Sequence, residues 1–195
     1  MKAEIIAVGT EILLGDILNT NAQYLSKELA QLGIEVYFQT VVGDNPQRLK
    51  DTLYQAFSRA DLIITTGGLG PTEDDLTKET AAAYFGEELV LDARALGRIQ
   101  KYFDRTGRVM TENNRKQAMV PKEHGIVLYN DNGTAPGIII EKNNKIIVML
   151  PGPPKETVPM FENQVKPYLQ TKQEYTFVSE ILRVASVGES AMETL

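Results

Sequence analysis

The sequence contains no cysteine and only one histidine, His124. Without thiols there are no disulfides, no thiolate nucleophile, and no cysteine-based zinc or iron–sulfur site. A single histidine also excludes the HExxH zinc proteases and most Ser–His–Asp arrangements. No apolar run approaches the ~20 residues needed to cross a bilayer. The N-terminal "MKAEIIAVGTEILLG" is broken by Glu4 and by Gly9-Thr10-Glu11, so it reads as a first β-strand and not as an export signal. A basic excess is missing too: the 195 residues carry a net charge of −6, which argues against a surface that coats nucleic acid. Chemistry is confined to carboxylates, hydroxyls, amides, lysine, arginine and a hard metal ion. The expected location is cytoplasmic, with no membrane partner.

What is present is ordinary globular composition, 43% hydrophobic and 24% charged. "AEIIAV" (3–8) is a buried strand ending in Gly9. Ala22, Leu25, Leu29 and Leu32 then form one helical face, closed by Gly33. "IEVYFQTVVG" (34–43) is a second strand. Leu49, Leu53, Ala56, Phe57 and Ala60 line a second helix, with Pro46 in its first turn. "DLIITTGG" (61–68) is a third strand. This β-α-β-α-β order implies parallel strands with right-handed crossovers. Further helices are predicted at 76–84, 93–107 and, as a short one stopped by Pro121, within "TENNRKQAMVP". "GIIIEKNNKIIVML" reads as a hairpin turning at "KNNK", and "PPKETVPMFENQVKPYL" as a helix despite Pro159. The Tyr84–Phe85 and Tyr102–Phe103 pairs read as core, and His124 as a surface or core residue.

In such a sheet the ligand site lies beyond the carboxyl ends of the strands. The loops that collect there are "GTEILLGD", "GDNP", "GGLGPTEDD", "NDNGTAPG" and "LPGPPKE". In the third, Gly67, Gly68 and Gly70 let backbone N–H groups approach a phosphate at the start of the next helix, with Thr72 beside them. Glu73, Asp74 and Asp75 follow at once. Anionic phosphate and adjacent carboxylates are compatible if a divalent cation lies between them. The same stretch also describes a tight turn with an acidic helix start, and Asp44 also describes a helix cap. Magnesium uses only one or two protein carboxylates, so Glu11, Asp44, Asp74 and Asp75 offer it more than enough. Lys155 at a helix start, and Asn132, Gly133 and Thr134 in a turn, are candidates for holding the phosphates.

Four ordered motifs, "AVGTEILLGDILNTNAQYL", "TTGGLGPTEDDLT", "NGTAPG" and "MLPGPPKE", make residues 1–168 resemble the N-terminal domain of the competence/damage-inducible CinA family. That domain belongs to the MoaB/Mog-like molybdopterin-binding superfamily. The resemblance implies a three-layer α/β/α sandwich with a mostly parallel sheet. It matches Asp75 to the catalytic aspartate of the loop, Asp44 to the second acidic residue, and Gly67, Gly68 and Gly70 to the phosphate loop. For the CinA branch it implies a metal-dependent ADP-ribose pyrophosphatase. Asp75, Asp44 and Glu11 would be catalytic, and Asp74, Asp75 and Asp44 would hold Mg²⁺ or a similar ion. The alternatives are molybdopterin binding or adenylyl transfer, and a non-catalytic nucleotide-binding module. The loop reads GGLG where molybdopterin relatives tend to have GGTG. In the longer family proteins a C-terminal nicotinamide mononucleotide deamidase domain follows. Residues 169–195 here read as the truncated start of a second small α/β unit. An unpaired strand in that tail would be a template for association, so a homo-oligomer is expected.

Overall fold

The computed structural model describes residues 1–172 and the isolated positions 185 and 188. The second unit expected at 169–195 therefore lies, beyond Lys172, outside the described residues. The elements run β1 (Lys2–Val8), α1 (Thr10–Leu13), α2 (Thr20–Gln31), β2 (Glu35–Val42), α3 (Pro46–Arg59), β3 (Leu62–Thr66), α4 (Thr77–Phe85), β4 (Leu89–Leu91) and α5 (Ala93–Thr106). A 3₁₀ segment (Glu112–Ala118) leads to β5 (Met119–Pro121), β6 (Gly125–Leu128), β7 (Gly137–Lys142) and β8 (Lys145–Leu150). The chain then forms α6 (Pro154–Met160), a π turn (Phe161–Val165) and α7 (Lys166–Gln170).

The main sheet has the order β2-β1-β3-β8-β7-β6. Its first four strands are mutually parallel, and β7 and β6 are antiparallel additions. Alternating side chains split the central strands between two cores. Ile5, Ile64 and Val148 meet α2, α6, the π turn and α7 through Leu25, Leu29, Met160, Phe161 and Leu169. Ile6, Ile63 and Ile147 meet α3 and α4 through Leu53, Phe57, Ala81 and Phe85. The result is the expected three-layer α/β/α sandwich. Leu169, the fourth residue of α7, is fully buried, so the packed unit includes α7. The β7–β8 turn has Asn143 and Asn144 at φ 54° and 58°, the left-handed pair that a tight hairpin requires.

Three segments differ from the sequence reading. "TENNRKQAMVP" forms the 3₁₀ segment, and its end becomes β5, which pairs with β4 as a separate ribbon. The loop after β1 opens with the single helical turn α1. The helix through Pro159 widens into the π turn directly after it, because proline lacks the N–H and its ring crowds the preceding turn. Both aromatic pairs contribute to packing: Tyr84 stacks on Phe57 at 4.5 Å, and the half-buried Phe103 packs from α5 onto the small cluster of Ala95, Ile99 and Ala118.

Two ionic contacts tie distant segments together. Glu4, 0% exposed in β1, accepts a two-pronged bond from Arg59 at 2.9 and 2.8 Å and one from Thr40 Oγ1 at 2.7 Å. The Glu87 carboxylate, almost fully buried after α4, lies 2.8 Å from Lys142 Nζ and 2.7 Å from His124 Nδ1. Chiefly the Lys142 bond, with those from His124, pulls the Glu87 carboxyl down to about 2. A carboxyl lowered by folding adds stability above its unfolded pKa of about 4.3, and that stability is lost as pH falls toward the folded value. We therefore expect the urea midpoint to drop between pH 4.5 and pH 2, and to drop less in Glu87→Gln. Equal pH slopes in the two proteins would contradict the assignment.

Candidate functional site

Because β1, β2, β3 and β8 are parallel, their carboxyl ends share one edge, where Gly9 N donates to Val42 O and Gly67 N to Leu150 O, both at 3.0 Å. β7 runs the other way, so the 130–136 loop that precedes it arrives at the same edge. Between these loops lies a cleft of about 480 Å³. One wall is Thr66 to Pro71 with Asp75. The others are Glu11, Ile12 and 17–21, then 134–135 with Gln117, and 151–154 with Glu156.

The glycine loop is tightly determined. Gly67 has φ +96° and Gly68 φ +68°, values that an L side chain adopts only with strain. A Cβ at Gly67 would overlap the Val8 carbonyl, and one at Gly68 would overlap the Thr77 hydroxyl. Thr77, fully buried at the start of α4, folds back so that its Oγ1 donates to Gly67 O at 3.0 Å and its N–H to Gly68 O at 3.2 Å. Gly70 is different: the nearest atoms to a Cβ there belong to the Asp75 carboxylate, and its φ is not left-handed.

Neither aspartate of the loop caps α4. The N-cap is Leu76, with no side-chain cap bond. Asp75 Oδ2 instead accepts from Thr72 N at 3.0 Å and Thr72 Oγ1 at 2.5 Å. Asp44 is not a cap of α3 either, since Asn45 does that by accepting from Arg48 N. Asp44 Oδ2 accepts from Thr10 N and Thr10 Oγ1, each at 2.9 Å, and so ties the loop after β2 to the loop after β1.

Of the residues read from sequence, Glu11, Gly67, Gly68, Gly70, Asp75 and Thr134 line the cleft. Thr72 stands behind Asp75, and Asp74 is exposed. Asp44, Asn132, Gly133 and Lys155 are not among the lining residues. Gly133 is glycine for a different reason: a Cβ there would overlap the Glu156 carboxylate. Asn132 donates its N–H to Asn130 Oδ1, and Lys155 is exposed in the first turn of α6.

Several site residues were not singled out from sequence. Asn21 donates to Gly152 O at 2.7 Å, and its Oδ1 is buried with no partner in the cleft wall. Burial pushes the Glu156 carboxyl up, against the bond from Asn130 Nδ2 at 2.7 Å and the nearby Lys155. Lys116 Nζ donates to Thr72 O at 2.7 Å and Asp75 O at 2.5 Å, clamping the acidic loop from behind. Gln117 Nε2 bonds to Thr134 Oγ1 at 3.0 Å and reaches Leu69 O at 3.5 Å, joining opposite walls. "NTNA" before an apolar helix carried a signal for Asn21. The lysine and glutamine sit 17 to 48 residues from their partners, and no local pattern marks them.

A family profile described as "Probable molybdopterin binding domain" matches residues 4–171. The solved structure of the protein CinA from Thermoplasma acidophilum, titled as of unknown function, is 35% identical, with a TM-score of 0.78 over 86% of this chain and 98% of that one. The chain belongs to the CinA family. A CinA-like protein of Dictyoglomus turgidum is 59% identical over 99% of this chain but only 47% of its own length. The chain thus spans about half the length of such CinA relatives. The molybdopterin biosynthesis enzyme MoaB of Thermus thermophilus has a TM-score of 0.58 at 20% identity, over 88% of this chain and 94% of that one, a likeness of fold. Among the described residues no helix is long and apolar enough to cross a membrane.

The two kinds of glycine in this CinA loop predict different costs. Gly68→Ala should lower unfolding stability by roughly 2–4 kcal/mol, from strain plus overlap with Thr77. Gly70→Ala should cost under about 1 kcal/mol, because the neighbouring Asp75 carboxylate can swing aside. Urea melts of the two variants that came out equal would contradict this account of the turn.

Proposed function

We propose that the cleft hydrolyses the pyrophosphate of ADP-ribose or a related nucleotide diphosphate in a Mg²⁺-dependent reaction. The observation that carries this reading is the placement of Asp75. Its carboxylate lines the cleft beside Gly70 instead of capping α4, and Thr72 and Lys116 hold its loop in place. A phosphate on the glycine loop next to that carboxylate needs a cation between them.

The donor set fits such an ion. Asp75 and Asp44 are hard oxygen donors, and each uses only Oδ2 in its protein hydrogen bonds. Among the described residues no three acidic or histidine side chains gather as a ready cage. That suits magnesium, which takes one or two carboxylates and fills its octahedron with water and phosphate oxygens. Asp74, exposed beside Asp75, is the third candidate ligand. When bound, the ion neutralises charge building on the phosphoryl oxygens.

The remaining work falls to the chain. The backbone N–H groups of the Gly67–Gly70 loop hold the phosphates, with the Thr134 hydroxyl as a donor; the unpartnered Asn21 Oδ1, an acceptor only, takes a ribose hydroxyl or a metal-bound water. Glu11 takes the proton of the attacking water. Water adds to one phosphorus, the bridging P–O bond breaks, and two monophosphates leave. Glu156, biased by burial toward its protonated form, is placed to protect an anion from repulsion. Lys155, outside the wall, contributes only longer-range attraction.

The match to a molybdopterin-binding profile supports a second reading, pterin binding or adenylyl transfer. Leu69 favours the first: it is buried in the core below the loop and brings no hydroxyl to a ligand. A non-catalytic nucleotide-binding role and a homo-oligomer remain proposals. Any deamidase activity of the longer relatives is not assigned to these residues.

Asp75→Asn should lower Mg²⁺-dependent ADP-ribose turnover by at least about 10²-fold and leave the melting curve in place, because the amide oxygen can still accept from Thr72. Full activity in a folded variant would remove Asp75 from the reaction.

A further inference from the structure

Lys78, the second residue of α4, is 4% exposed. A cation at a helix start opposes the helix dipole, and among the described residues no carboxylate lies within ion-pair distance of it. Its ammonium is spent elsewhere. Nζ donates to Lys116 O at 2.6 Å and Gln117 O at 3.4 Å. These are two of the last carbonyls of the 3₁₀ segment, the end of a helix where carbonyls lack partners and negative charge accumulates. Lys116 and Gln117 are the residues whose side chains hold the acidic loop and join the cleft walls.

We propose that Lys78 is a positioning residue for the cleft: its buried ammonium fixes the backbone of Lys116 and Gln117, and through them the Gly67–Asp75 loop. The inference deepens the reading of the cleft as a phosphate site and rests on that reading only for its ligand-binding arm. Lys78 touches neither the proposed metal ligands nor the cleft. The charged groups facing it are Glu79 on its own helix and Lys116 on the 3₁₀ segment. Burial, offset in part by Glu79 and helped to a smaller degree by repulsion from Lys116, lowers its pKa to about 8. The ammonium is therefore lost within reach of ordinary buffers. Because this pKa lies below the unfolded value, the linked contribution to stability rises as pH climbs from about 8 toward the ordinary lysine range. The brace weakens over the same window.

The test uses the full chain, wild type and Lys78→Met. In the variant, amide exchange should quicken about tenfold or more, both in 112–118 and in 67–76, while α2 and β1 keep their protection. Calorimetry with ADP-ribose and Mg²⁺ should show wild-type affinity falling as pH rises through about 8, and a weak, flat profile in the variant. A merely structural lysine would not lose affinity while the fold gains stability. Unchanged exchange at 67–76 in the variant, or wild-type affinity flat across pH 8, would overturn the brace. The pH arm needs no variant, so a misfolded Lys78→Met still leaves a decision. If the wild type binds no ADP-ribose at any pH, the reading of the cleft falls, and the exchange comparison alone decides the brace.

Discussion

Everything at the cleft depends on one steric constraint, the lack of room above Gly67 and Gly68. The Val8 carbonyl at the end of β1 and the Thr77 hydroxyl at the start of α4 occupy the space that two side chains would need. β3 can therefore turn sharply over the end of its neighbour, and Thr77 can fold back onto the loop it follows. The turn delivers Gly70 and Asp75 to the same wall as the loops after β1 and β8. A side chain at Gly67 or Gly68 would lift the loop away from the strand ends and carry the Asp75 carboxylate away from the other walls.

The cleft also has a consistent charge logic. Its walls carry the carboxylates of Glu11 and Asp75, with Asp44 behind them, while burial biases Glu156 toward its neutral form. Two lysines behind the wall, the buried Lys78 and the half-buried Lys116, donate to backbone carbonyls and do not line the cavity. Such a wall suits the proposed reading, in which the pyrophosphate arrives with a divalent cation. The lysines shape the wall and leave charge compensation to the ligand pair. This division separates the region from a P-loop, where a lysine reaches the phosphates directly.

The parts legible in the sequence were those governed by local rules. Ile5/Ile6, Ile63/Ile64 and Ile147/Val148 announce strands buried on both faces. Asn143-Asn144 announces the hairpin, and Gly67-Gly68-Leu69-Gly70 with Asp75 announces the loop. What was not legible depends on residues far apart in the chain. The 3₁₀ segment owes its place to Lys78, 38 residues earlier, and β5 exists because β4 lies beside it. Gly133 reads as a turn glycine and is in fact the space for Glu156. Asp44 reads as a cap and is a tie between two strand-end loops.

The central claim is that this cleft breaks a pyrophosphate bond with the help of a divalent cation. Phosphorus-31 NMR of ADP-ribose mixed with the chain reads that bond directly. The account expects the pyrophosphate resonances to give way to two phosphomonoester resonances when Mg²⁺ is present, and to persist when it is chelated. Pyrophosphate resonances that neither convert nor shift with Mg²⁺ and protein both present would contradict it.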